Sequence, residues 1–298
     1  MEQTMMNEWE ELKQGLRQKG YIADDNTAML LQVSVLLSKP ILIEGPAGAG
    51  KTELAKAWSQ YLNRKLIRLQ CYEGIDEAKA LYDWNYQKQL LYIQAQGAAQ
   101  KNWSDMSQSI YAKEFLLTRP LLEAISSETA AVLLIDEIDK SDEEFESFLL
   151  EILSDWQISI PETGTITAAS IPSVILTSNN TRNLSHALRR RCLYLYLDYP
   201  NEQRELEILK LYFPALNDVL GKQAVAFVRH IRLEKLKKHP SISEVIDWVS
   251  ILSHMGVQEL SNDIVVNTVN ILLKYREDCL KIIEKVNQKD WLRGLYHL

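Results

Sequence analysis

The chain has 298 residues, 46% of them hydrophobic and 24% charged, a profile that fits one large globular domain or two modest ones. A net charge of -7 argues against a constitutive nucleic-acid coat. Cys71, Cys192 and Cys279 are far apart with no C-x-x-C pair, which supports neither a disulfide framework nor a zinc site and suits a reducing compartment.

Met1 to Glu11 is acidic and polar, unlike a signal peptide, and no apolar run reaches the length of a membrane span. The expected location is the cytoplasm. Trp9, Leu12 and Leu16 fall at helical spacing, with Gly20 as a C-cap, and a second helix is predicted from about Thr27 to Ser38. Pro40-Ile41-Leu42-Ile43 then reads as a buried strand, and Leu54 to Trp58 as a helix. Between them Gly45-Pro46-Ala47-Gly48-Ala49-Gly50-Lys51-Thr52 fits G-x-x-x-x-G-K-[ST], the phosphate-binding P-loop, in the strand–loop–helix setting that the motif requires. In such a loop the glycines let successive backbone N–H groups point at phosphate oxygens. Lys51 reaches the β- and γ-phosphates, and Thr52 offers its hydroxyl to Mg²⁺.

Leu66–Leu69 is the next predicted strand. The aromatic and polar segment Tyr82 to Leu90 interrupts the pattern where a helix should pack on the sheet. Val132–Ile135 is an apolar strand ending in Asp136-Glu137, which puts two carboxylates at the sheet edge where open α/β sheets bind ligands. Asp136 is placed there to hold Mg²⁺ and Glu137 to orient and deprotonate an attacking water. Asp139 reads as a solvated turn residue, and Ser141 with Glu144 as a capping box for a helix whose apolar face is Phe145, Phe148, Leu149, Ile152 and Leu153. Gln157 to Thr167 reads as a hairpin turning at Pro161 and Gly164. For both interrupting segments, surface decoration and a binding insert are open readings.

Val174–Thr177 is a further strand, ending in Ser178-Asn179-Asn180. Asn179 reads either as an amide that positions water at the γ-phosphate or, with Asn180, as a plain turn. Arg189-Arg190-Arg191 precedes Cys192 and the strand Leu193–Leu197, with nothing nearby in sequence to neutralise it. It reads as a solvated basic corner or as an arginine finger for a neighbouring subunit's nucleotide. Alternating strands and helices predict an α/β fold whose mostly parallel five-stranded sheet is covered on both faces. Beyond Tyr199-Pro200 amphipathic helical patterns dominate. The predicted division is a nucleotide-binding core at 1–200, with inserts near 82–95 and 156–169, and an all-α domain at 201–298.

GPAGAGKT, VLLIDEID, ILTSNN and LSHALRRRC, followed by a helical tail, resemble the AAA+ ATPase plan: a P-loop NTPase with a three-layer αβα core and an all-α lid. The finer resemblance is to the MoxR family. It rests on Arg68 to Gly74, Tyr82 to Leu90 and Ile160 to Thr165, and points to the branch associated with von Willebrand factor A (VWA) domain proteins, such as the CoxD-like and NorQ/CbbQ-like ATPases. It covers roughly Ile22 to Met255. The resemblance implies ATP and Mg²⁺ as ligands, with Lys51 and Thr52 on phosphate and metal and Asp136 and Glu137 as metal-holding and catalytic acids. It further implies Asn179 as the sensor, Arg191 as the arginine finger with Arg190 as the alternate, and Tyr21 and Ile22 packed on the adenine. Many AAA+ proteins carry a sensor arginine at the start of a lid helix, and Pro240 to Trp248 has none. That departure implies slow or partner-dependent hydrolysis.

The function that follows is a ring-forming ATPase, a hexamer by resemblance, that remodels or matures a protein partner. The partner expected is a VWA-domain protein or a metalloenzyme client receiving a metal or cofactor. A nucleic-acid motor is weighed down by the acidic balance, and no nucleic-acid partner is expected. A nucleotide-gated adaptor with little turnover is the third reading. The five histidines (His186, His230, His239, His254, His297) lack ligand-like spacing, so no metal beyond the nucleotide's Mg²⁺ is expected.

Overall fold

The computed structural model describes residues 2–96, 110–161 and 164–288. The chain divides into two compact units. One comprises Met1–Gly15, Asp24–Gly45 and Lys51–Tyr196, the other Leu16–Ala23, Pro46–Gly50 and Leu197–Leu298.

The strands of the first unit are, in chain order, β1 (Ile41–Glu44), β2 (Leu66–Gln70), β3 (Tyr82–Trp84), β4 (Leu116–Thr118), β5 (Val132–Asp136), β6 (Gln157–Ile160), β7 (Gly164–Thr167), β8 (Ser173–Ser178) and β9 (Leu193–Tyr196). Five of them form one parallel sheet in the order β2-β5-β8-β1-β9. These are the five apolar runs of the sequence. Their composition also explains their places. β1 and β5 are buried along their whole length and β8 from Val174 onward, as central parallel strands covered by helices must be. β2 and β9 alternate, with Arg68, Tyr194 and Tyr196 exposed, and they take the edges. Leu42, Leu133, Ile135 and Leu176 share a buried cluster with Leu149 and Ile152.

The two interrupting segments are ordered small sheets. β3 pairs antiparallel with β4, and a helix, Tyr86–Gln96, follows β3. Tyr86, Leu90 and Leu91 on that helix are exposed. β6 and β7 form the expected hairpin, with Gln157 opposite Thr167 and Ile160 opposite Gly164. Ile158 and Ile160 are buried in the core cluster, so its first arm is anchored to the unit. Glu162 and Thr163, at its turn, lie outside the described residues.

Local signals fix the helix ends. Gly20 takes φ +86°, and the Tyr21 amide donates to the Leu16 carbonyl at 2.9 Å, the left-handed closure that glycine permits. The expected Ser141–Glu144 capping box does not form. Asp142 is the N-cap of the Glu143–Asp155 helix and accepts from the Phe145 amide at 2.8 Å, while Ser141 closes the preceding short turn, its hydroxyl donating to the Ile138 carbonyl at 2.8 Å.

The second unit carries the helices Glu202–Tyr212, Asp218–Arg232, Ile242–His254, Asn262–Leu272 and Arg276–Val286. Trp248 is fully buried at its centre, 5.4 Å from the Phe227 ring, and its Nε1 donates to Thr268 Oγ1 at 2.8 Å. Arg232 pairs with buried Glu205 at 2.7 Å and donates to the Pro240 carbonyl at 2.9 Å. The guanidinium also lies 4.8 Å from the Tyr199 ring centre, a cation–π contact that adds to the pair. Among the described residues no helix is long and apolar enough to cross a membrane. Trp248→Ala is expected to lower the stability of the helical unit by about 3–5 kcal/mol, read as a fall in the urea midpoint of helical circular dichroism.

Candidate functional site

A parallel sheet brings the C-terminal ends of its strands to one edge. Here Glu44 of β1 lies opposite Ser178 of β8, and Gln70 of β2 opposite Asp136 of β5. The P-loop leaves from the first of these ends, Asp136-Glu137 from β5 and Asn179 from β8. Lys51 joins them. Its Nζ donates to the Gly45 carbonyl at 2.7 Å and to Asn179 Oδ1 at 2.8 Å. Lys51 is only 7% exposed. Burial lowers its pKa, and the charges of Asp139, Asp136 and Glu137 partly offset that.

The loop has the backbone a phosphate cradle requires. Gly48 and Gly50 take φ +77° and +93°, a region closed to most side chains. Gly48 is doubly constrained, since a Cβ built there would overlap Ser241 within the second unit. Ser241 opens the Ile242–His254 helix in a capping box with Glu244, at the position where the sequence lacks an arginine. In the same unit Tyr21 is buried, and a Cβ built on Gly50 would lie 3.6 Å from its Cε2. The carbonyl of half-buried Ile22 accepts from Arg204 Nη2 at 2.6 Å. Gly45, Pro46, Ala47 and Ala49 complete the loop, with the Ala49 amide donating to the Pro46 carbonyl at 3.3 Å.

Asp136 is 3% exposed. Both of its oxygens lie 3.3 Å from Thr52 Oγ1. The Thr177 hydroxyl donates to Oδ1 and accepts from the Glu137 amide at 2.9 Å. Arg68 donates to Oδ2 through Nε at 3.0 Å and Nη2 at 2.5 Å. A threonine hydroxyl beside a carboxylate is the hard-oxygen donor set that Mg²⁺ takes when it arrives with phosphate, so the residues fit that ion. Glu137 stands in the left-handed region at φ 57°, ψ 48°, a conformation that costs a non-glycine residue about 1–2 kcal/mol. This turn presents its carboxylate back toward the strand ends. Gln70 at 2.9 Å and Lys140 at 2.6 Å donate to Oε2, and Asn179 Nδ2 lies 3.3 Å from Oε1.

Asp139 corrects the expectation of a solvated turn residue. It is 3% exposed. Burial pushes its pKa up, but hydrogen bonds from the Thr181 hydroxyl (2.6 Å), the Thr181 amide (3.0 Å) and the Asn179 amide (3.2 Å) outweigh it, and the net shift is down. Asp139 thus folds the loop after β8 back so that Asn179 faces Lys51. Asn180 stands in the left-handed region at φ 59°, and the Asn179 side chain is in the cluster.

The three arginines separate. Arg189 is neutralised after all, by Glu44, a residue 145 positions earlier, at 2.6 and 3.3 Å. Arg190 and Arg191 are exposed, and Arg191 Nε donates to Ser154 Oγ at 2.8 Å. Among the described residues, Arg191 and Arg190 are not hydrogen-bonded to Asp136 or Glu137 of their own chain. Sequence reasoning assigned no role to Arg68, Gln70, Thr177 or Lys140. The polar alternation of β2 is the signal that could have found the first two.

Asp139→Ala is expected to lower stability by about 1–3 kcal/mol by stranding its donors. Because the folded-state pKa of Asp139 lies below its ordinary 3.8, this contribution is complete above about pH 4. It is lost as pH falls through the folded-state value. Denaturant titrations across pH 2–5 should therefore show a shallower acid limb for Asp139→Asn than for wild type.

Comparison with known proteins agrees with this geometry. The family model described as AAA domain (dynein-related subfamily) matches residues 40–192, the stretch from the start of β1 to the arginine helix. An uncharacterized protein of Staphylococcus saprophyticus is 24% identical over 232 residues, 75% of this chain and 80% of that protein. One from Staphylococcus haemolyticus is 25% identical over 215 residues, 70% of this chain and 73% of that protein. A proline-to-glycine mutant of Thermotoga maritima RuvB shares the fold with a TM-score of 0.51 at 20% identity, over 90% of this chain and 78% of that one. The five-stranded parallel sheet, the P-loop and the acidic strand end therefore have one common explanation: the chain belongs to the AAA domain family, in its dynein-related subfamily, and so to the AAA+ P-loop ATPases.

Proposed function

We propose that this AAA+ protein is a MoxR-type, ring-forming, Mg²⁺-dependent ATPase that remodels or matures a protein partner. The observation that carries the hydrolytic reading is the convergence of Lys51, Asp136, Glu137 and Asn179 from three strand ends onto one hydrogen-bonded cluster. Bound with ATP, Mg²⁺ supplies neutralisation of the phosphate oxygens, and Thr52 and Asp136 are the residues to hold it. The backbone from Gly45 to Gly50 cradles the phosphates, and Lys51 donates to them. Glu137 takes the proton of the attacking water, and Asn179 orients that water. Arg191, with Arg190 as the alternate, completes a neighbouring subunit's site, and Tyr21 and Ile22 pack on the base. Gln70 and Lys140 fix Glu137 through Oε2, so a partner that reorients them would change turnover, in keeping with slow hydrolysis until a partner engages. The absence of an arginine in Pro240 to Trp248 supports the same reading.

The partner assignment rests on the resemblance of Arg68–Gly74, Tyr82–Leu90 and Ile160–Thr165 to VWA-linked MoxR proteins. A VWA-domain protein, a metalloenzyme client, a hexameric ring and a cytoplasmic setting belong to that proposal. Exposed Tyr86, Leu90 and Leu91 give the first insert an apolar surface suited to a protein partner.

Glu137→Gln should bind ATP without hydrolysing it, with turnover reduced by at least about 10²-fold. Co-purification with ATP and Mg²⁺, against Lys51→Ala as the blank, should then capture a VWA-domain protein or a metalloenzyme subunit. Nuclease-sensitive DNA in that fraction would replace the remodelling role with a motor. Tight ATP binding without turnover, even with the partner present, would make the protein a nucleotide-gated adaptor.

A further inference from the structure

Glu44 is the last residue of β1 and directly precedes the P-loop, whose Gly45 carbonyl holds Lys51. A carboxylate that is 4% exposed at the end of a central strand needs partners, and it has three donors. Arg189 grips it as a fork, Nη2 to Oε1 at 2.6 Å and Nη1 to Oε2 at 3.3 Å. The Tyr194 hydroxyl donates to Oε2 at 3.0 Å. The fork geometry fixes direction as well as distance.

Arg189 lies on the six-residue helix His186–Arg191, which also bears Arg190 and Arg191. A helix this short has no stability of its own, so its position comes from its anchors. At its start, buried Glu146 accepts from the Ser185 amide at 2.8 Å and pairs with Arg182 at 2.5 Å. Toward its end the anchor is Glu44. Arg191 stands two residues beyond that anchor, exposed and, among the described residues, hydrogen-bonded to Ser154.

We infer that Glu44 and Arg189 are positioning residues that tie the arginine-bearing helix to the root of the P-loop. The state of one subunit's nucleotide loop thereby sets where that subunit offers Arg191 to its neighbour. This rests on the reading of Arg191 as a finger acting in trans. The Glu44–Arg189 pair then couples adjacent sites in a ring through a path of one strand end and one ion pair.

The test is a double-mutant cycle on the full-length assembled protein with Glu44→Gln, Arg191→Ala and both together, followed by kcat, KM and the affinity for a fluorescent ATP analogue. Glu44→Gln keeps an acceptor for Tyr194 but loses the charge that holds Arg189. It should lower kcat by up to about 10²-fold, as a misplaced positioning group does, with analogue affinity within about twofold. In the double variant it should add nothing to Arg191→Ala. Arg189→Lys, which keeps the charge and loses the fork, should show the same non-additivity and serves if Glu44→Gln does not fold. Hydrogen exchange gives a readout free of turnover. Amides 186–192 should exchange faster in Glu44→Gln while those of the Lys51–Tyr61 helix do not change. Multiplicative losses of kcat, or unchanged exchange at 186–192, would overturn the inference. Turnover in wild type that Arg191→Ala leaves intact would instead sink the finger reading, and this inference with it.

Discussion

One buried ammonium organises the site. Lys51 is enclosed at the sheet edge with the Gly45 carbonyl and the Asn179 amide oxygen as acceptors and three carboxylates close by. A charge in that position is tolerable only because Asp136, Glu137 and Asp139 compensate it. Those acids in turn need Arg68, Lys140 and the loop amides. The result is a balanced network in which each ion is held by groups from a different strand, so a ligand bringing several negative oxygens would redistribute all of them. Phosphate binding is thus able to reach Glu137, through Asn179, without a change in fold.

The sheet order makes this network inevitable. β8 lies between β5 and β1, so residues 128 positions apart, Lys51 and Asn179, meet at hydrogen-bond distance. Asp139 completes the arrangement by holding the loop after β8 through two amides and a hydroxyl. On the opposite side of β1, β9 brings Tyr194 to Glu44 and the helix before it brings Arg189. β1 thus has Asp139 holding the loop after β8 on one side and the Glu44–Arg189 pair beside the exposed arginines on the other.

Much of this was legible in the residues. Apolar runs bounded by turns mark the five strands, while the order that makes some central and others edges came only with the pairing. The P-loop and the Asp136-Glu137 strand end are local patterns, readable without tertiary knowledge. What escaped depends on register and pairing across the sheet. Asp139 resembles any acid in a turn until β8 is placed beside it, and Arg189 resembles a solvated arginine until Glu44 is. The missed capping box has a different cause. Ser141 ends the preceding short turn, and the helix begins one residue later, with Asp142 as its cap. Gln70 and Arg68 sit on an edge strand whose polar positions look like ordinary solvent-facing alternation.

The most direct measurement of the central claim is calorimetric titration of ATP, with and without Mg²⁺, into wild type and Lys51→Ala. If the Lys51 network is the phosphate site, wild type binds ATP, binds it more tightly with Mg²⁺, and loses about 10- to 100-fold in affinity when the ammonium is removed. Equal binding by the two proteins, or none by a folded wild type, would contradict it.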